Sequence, residues 1–118
     1  MKLVVLESPF AGNVRRNLAY AKLCLKDCLL RGEAPIASHL LFTQPGILDD
    51  DKPEERKLGI EAGLAWTEVA DLQVFYDDFG MSKGMMGAIK HAQEIGAPTE
   101  FRKLNPAMVA KLKRDYPD

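Results

Sequence analysis

Cysteine is scarce in this chain, with only Cys24 and Cys28 among 118 residues. Two thiols cannot build a disulfide framework, and no further cysteine or nearby histidine completes a metal set. The two histidines, His39 and His91, do not have ligand spacing. No metal and no cofactor is therefore expected. Cys24 and Cys28 lie four apart in a segment of helical pattern, which puts both on one face as packed thiols. Long apolar runs are missing too, and none approaches the roughly 20 residues of a membrane span. The chain starts almost at once on a strand, without a charged leader and cleavage site. These absences lead us to expect a soluble, cytoplasmic protein with no membrane partner.

Charge of one sign is also missing: 16 Lys and Arg stand against 17 Asp and Glu, for a net charge of -1. Cations are scattered, densest at Lys111, Lys113 and Arg114. That excludes the footprint of a nucleic-acid polymer, while a few local cations suffice for one phosphate. The glycine triplet of a dinucleotide fingerprint does not occur. Repeats, linkers and low-complexity segments are absent, so residues 1–118 read as one domain.

What the chain does have is an alternation of strands and helices. Leu3 to Leu6 form a short strand, apolar at successive positions as a parallel strand covered on both faces should be. Ser8, Pro9, Phe10, Ala11 and Gly12 form a turn, and Asn13 caps a helix that Gly32 ends. Pro35 to Ala37 read as a second strand, with His39, Leu40 and Leu41 just past it. A loop from Thr43 to Asp51 leads to a helix opened by Pro53, capped near Asp51 or Lys52, whose apolar face is Leu58, Ala62 and Ala65. Leu72 to Tyr76 make the third strand. A helix from about Lys83 to Ile95 ends at Gly96, a last strand covers Ala97 to Phe101, and Pro106 begins a terminal helix. This order predicts an α/β fold: a doubly wound parallel sheet of four or five strands flanked by helices, Rossmann- or flavodoxin-like.

Candidate chemistry gathers where strands give way to helices. After the third strand come Asp77 and Asp78, then a loop with Ser82 and Gly84, then Met85 and Ala88 inside the helix. A carboxylate at a strand end can hold two hydroxyls or act as acid or base. A helix N-terminus behind a serine and glycines favours an anion. Met85 reads either as core or as the apolar wall of a base pocket. In the first turn, Gly12 allows close backbone approach, and Arg16 reaches a phosphate or carboxylate or else stays solvated. His39 reads as a structural hydrogen-bonding group or a catalyst, and its partner would decide. Asp49, Asp50 and Asp51 cap a helix or meet sugar hydroxyls from a flap.

The chain resembles the nucleoside 2-deoxyribosyltransferase superfamily, in particular its small phage-encoded or bacterial members. The likeness spans about Lys2 to Phe101. It rests on Ser8-Pro9-Phe10-Ala11-Gly12 with Arg16-Asn17, on Pro35 to His39, on the acidic loop, and on Ser82-x-Gly84-Met85 with the helix ending at Gly96-Ala97-Pro98. The resemblance implies cleavage or transfer at the N-glycosidic bond of a nucleoside or nucleoside 5′-monophosphate by a homodimer or larger homo-oligomer. It implies that Asp77 or Asp78 holds the sugar or assists the leaving base, and that Ser82 and Gly84 bind the 5′ end. Ser8, Gly12, Arg16 and Asn17 then line the other side. Two positions depart from the pattern. Phe10 stands where a tyrosine is common, and Ala88 stands where the nucleophilic glutamate is expected. A methyl group can neither form a glycosyl ester nor stabilise positive charge. Three readings follow: a glutamate replaced by alanine in an otherwise active enzyme, a non-catalytic nucleotide-binding or sequestering protein, or a subgroup that uses Asp77 or Asp78 differently.

Overall fold

A computed structural model describes residues 1–118. Its elements are β1 (Leu3–Glu7), α1 (Val14–Leu30), β2 (Ala34–Ile36), α2 (Ser38–Leu41), α3 (Pro53–Thr67), β3 (Leu72–Tyr76), α4 (Lys83–Ile95), β4 (Thr99–Arg102) and α5 (Pro106–Asp115). The four strands pair in parallel in the order β2-β1-β3-β4. This is the doubly wound sheet that the element order predicts.

The pleat sorts side chains onto two faces. Val4, Leu6, Val74 and Tyr76 meet Tyr20, Cys24 and Cys28 of α1 and Val109 and Leu112 of α5 in one large core. Both cysteines are buried free thiols, with Cys24 pushed well above the usual thiol range, chiefly by burial. On the other face, Phe75 packs with Met85 and Ala88 of α4, and Leu64 of α3 closes over them.

Caps account for several boundaries. Asn13 accepts from the Arg16 amide, Ser82 from the Met85 amide, and Asn105 from the Ala107 amide. Gly96 ends α4 at φ 68°, where a side chain would be strained.

Other boundaries differ from the sequence reading. β1 runs one residue further, to Glu7, because Glu7 still pairs with Phe75. β2 is Ala34–Ile36, since Ala37 opens the short helix α2 that the sequence reading lacked. β4 starts at Thr99 because the Ala97 amide is spent on the Ala92 carbonyl at the end of α4. The cap of α3 is Lys52, without a side-chain hydrogen bond. The inner face of α3 is also different. Leu58 and Ala65 are exposed, while Gly63 and Thr67 are buried. The partner of α3 is α2, so close that a Cβ on Gly63 would overlap Ser38. Backbone approach therefore selects the glycine side of the helix over the more apolar one.

One buried ion pair locks β4 to the segment after α1. Arg102 donates from both terminal nitrogens to Glu33, each at 2.7 Å, and both residues are buried. The Arg102 hydrogen bonds hold Glu33 below the usual carboxylate range against the opposing effect of burial. Stability from this group is therefore present above its unfolded value of 4.5 and is lost as pH falls through the lower folded value. Arg102→Ala leaves a buried carboxylate unpaired and is expected to cost about 3–5 kcal/mol in urea unfolding. A loss below about 1 kcal/mol would mean that the pair behaves as a solvated one.

Candidate functional site

The strand order reverses direction at β1: β2 lies on one side of it and β3 on the other. Connections leaving β1 and β3 diverge there and open a crevice at their carboxyl ends. A cavity of about 500 Å³ occupies it, within the range of small-molecule sites. Its floor is the end of β1, Glu7 and Ser8. One wall is α2 with the loop after it, including His39 and Phe42. A second wall is α3 through Gly59 and Gly63. The third is the start of α4, from Ser82 to Ala88.

The sequence candidates divide cleanly. Ser8, Phe10, His39, Ser82, Gly84, Met85 and Ala88 all line this cavity. Met85 and Ala88 do so while also packing on Phe75, so core and pocket wall are one surface here. Asp77, Asp78, Gly12, Arg16 and Asn17 do not line it. Each of these five has another place. Asp78 accepts from Tyr20 Oη at 2.7 Å and from the Leu104 amide at 2.9 Å, on the α1 and α5 side of the sheet. Asp77 accepts from Lys103 at 2.8 Å. Arg16 pairs with Asp118 and lies over the Phe79 ring at 4.2 Å. Asn17 is buried and donates to the Phe10 and Ala11 carbonyls, which fixes the turn carrying Phe10. Gly12 holds φ 98° in that same turn, a conformation that suits glycine.

His39 has a partner that bears on its role. Its Nε2 and Ser8 Oγ are hydrogen-bonded at 2.7 Å, while Nδ1 is buried without a partner. Burial lowers the imidazole to about 4, so the ring is neutral at physiological pH. A neutral ring with so little proton affinity orients Ser8 and is a poor proton acceptor. Asp50 and Glu55 also line the cavity. Asp50 accepts from Arg56 at 2.7 Å, and Glu55 accepts from the Asp49 amide. Part of the acidic loop thus reaches the cavity, where Arg56 neutralises it. No group of three or more His, Cys, Asp or Glu is gathered to hold a metal. No helix is long and apolar enough to cross a membrane.

Sequence reasoning missed Glu7. It stands on the floor of the cavity, pairs in register with Phe75 and accepts from Gln73 Nε2 at 3.1 Å. Burial pushes its carboxyl up to about 7, with the Gln73 hydrogen bond opposing. The signal was present as a charged residue directly after an apolar strand and before the Ser8-Pro9 turn.

Residues 2–102 match the family described as a domain of unknown function (DUF7768), and the chain belongs to that family. Among solved structures the chain is similar to a 2-deoxyribosyltransferase from the psychrotolerant bacterium Bacillus psychrosaccharolyticus. Identity is 16% and the TM-score 0.59, over 92% of this chain and 80% of that one, a likeness of fold. Comparison with curated proteins gives no match.

Glu7 has a folded proton affinity above its unfolded one, which sets the sign of its effect on stability. Its contribution is fully present below 4.5 and is lost as pH rises through about 7. Glu7→Gln is expected to remove this decline, so that the variant melts higher than the parent at pH 8 but not at pH 4. Thermal melts across that range check it. Equal pH profiles for the two proteins would show that Glu7 is solvated.

Proposed function

We propose that the cavity takes a nucleoside or nucleoside 5′-monophosphate and that the protein cleaves or exchanges its N-glycosidic bond. The observation that carries this reading is the composition of the cavity at the β1/β3 crevice. An apolar wall of Met85, Ala88 and Leu64 suits a planar base. The Ser8–His39 pair and Asp50 lie within the same cavity and suit sugar hydroxyls. Lys83 and the opening turn of α4, whose first amides have no intrahelical acceptor, suit a phosphate. The fold likeness to a 2-deoxyribosyltransferase supports the same substrate class. In this reading Asp77 and Asp78 assist from behind the site, by anchoring the loop that delivers Ser82. Asn17 and Gly12 act likewise on the turn that presents Phe10, and Arg16 packs on Phe79 in the loop that leads to Ser82.

A second reading is binding without cleavage. Ala88 has only a methyl group facing the cavity where the resemblance implies a nucleophile, and Phe10 has no hydroxyl. The two readings share a ligand and differ in turnover. A homodimer, or a larger homo-oligomer, fits either. Leu58 and Trp66 of α3 and Met86 of α4 are about half exposed and offer apolar surface for a second copy. Light scattering at micromolar concentration is expected to give at least twice the chain mass, and a monomeric mass removes the dimer.

Titration calorimetry with a panel of nucleosides and their 5′-monophosphates tests the ligand class. The monophosphate is expected to bind more tightly than its nucleoside. Lys83→Ala is expected to weaken the monophosphate by roughly tenfold, the loss of one charged hydrogen bond, and to leave the nucleoside unchanged. Absence of binding by both classes at millimolar concentration overturns the proposal. Free base released by the parent chain selects cleavage over sequestration, and restored release in Ala88→Glu alone selects sequestration.

A further inference from the structure

Three carboxyl groups line the cavity: Glu7, Asp50 and Glu55. Asp50 is neutralised by Arg56 at 2.7 Å. Glu55 lies 3.7 Å from Lys52 and accepts the Asp49 amide. Glu7 is different in kind. No cation pairs with it, and its one hydrogen bond comes from the neutral amide of Gln73 to Oε1. Oε2 has no protein partner, and the residue lines the cavity.

Its position is set by the sheet and not by a flexible loop. Glu7 is the last residue of β1 and pairs in register with Phe75 of β3, so both side chains rise from the same face. Phe75 is the residue on which Ala88 packs. Glu7 and Ala88 line the same cavity, and position 88 contributes only a methyl to it.

We propose that Glu7 is the catalytic carboxyl of this cavity, acting as acid and then as base at the N-glycosidic bond. The inference rests on the nucleoside reading above. In the first half, the Glu7 O–H bond breaks and its proton passes to a basic nitrogen of the base. The C1′–N bond breaks, and its electron pair leaves with the base. In the second half, a water oxygen bonds to C1′ and a water proton returns to the Glu7 carboxylate. Nucleoside and water become free sugar and free base, and Glu7 ends protonated as it began.

Burial supports the first half, since it holds the carboxyl protonated up to about pH 7. The other titratable groups facing the cavity are His39 of α2, Asp50 of the loop, Glu55 and Arg56 of α3 and Lys83 of α4. His39 is neutral from about pH 4 upward, so it does not titrate in the range where Glu7 does.

The test follows free base from a panel of nucleosides and 5′-monophosphates between pH 5 and 9, for the parent chain and for Glu7→Gln. Calorimetry on both proteins reads affinity, and circular dichroism reads folding. Glu7→Gln is expected to lower kcat by about 10²–10⁴-fold while binding is retained. The parent rate is expected to fall as pH rises through about 7, and the residual rate of the variant to lack that limb. Equal rates and equal pH profiles in the two proteins overturn the role of Glu7 and leave the nucleoside reading standing. Binding by the parent chain without any base release also overturns it. Absence of binding to both classes of ligand overturns the nucleoside reading and this inference with it.

Discussion

Parallel pairing of β1 with β3 is the contact on which the site depends. Both strands are covered on both faces, so their register decides which side chains reach which layer. In the observed register Leu6 pairs with Val74 and Glu7 with Phe75. That sends Leu6 and Val74 into the core under α1 and α5. It sends Phe75, and Glu7 beside it, toward α3 and α4. A slip by one residue would exchange the two sets and would place a carboxyl in the larger apolar core. The connections then complete the crevice. The crossover from β1 to β2 carries α1 over one face, and the crossover from β3 to β4 carries α4 over the other. The cavity is what these diverging connections leave uncovered.

Polar side chains around the crevice act mainly as ties. Asp78 joins α1, through Tyr20, to the segment before α5, through the Leu104 amide. The same contacts anchor the loop from which Ser82 caps α4. Asn17 does the equivalent for the first turn, with two hydrogen bonds to backbone carbonyls. These hydrogen bonds specify the shape of both loops. They explain how a domain of this size holds two strand-to-helix loops against one cavity.

The fold was legible because the punctuation was strong. Asn13, Pro53, Ser82, Gly96 and Pro106 mark helix ends by well-defined chemistry, and apolar runs mark β1 and β3. The inner face of α3 was not legible. Periodicity favours Leu58, Ala62 and Ala65, whereas the neighbouring α2 demands glycine, a tertiary constraint that periodicity does not encode. In the site, spacing identified the loops but not the direction of their side chains. Asp77 and Asp78 follow the same strand, yet where they point depends on Lys103, Tyr20 and Leu104, each from a distant segment or element. Seven of the twelve candidates line the cavity because they sit in the turn after β1, on α2, or at the start of α4. Glu7 escaped notice because a charged residue ending an apolar run reads as the residue after the strand, not as its last paired position.

Glu7 and Gln73 together carry a cost. They share a sheet face with Phe75, and two aliphatic side chains would pack there without penalty. Instead, Glu7 is held in a site that disfavours its charge, and Gln73 Oε1 is buried without a donor. On the opposite face the buried polar strand residue Arg102 is matched by Glu33, with two hydrogen bonds of 2.7 Å. Stability alone would favour paired or apolar groups on both faces. The cost falls where the cavity opens, at the one of its three carboxyls that no cation pairs, and there it can meet a ligand.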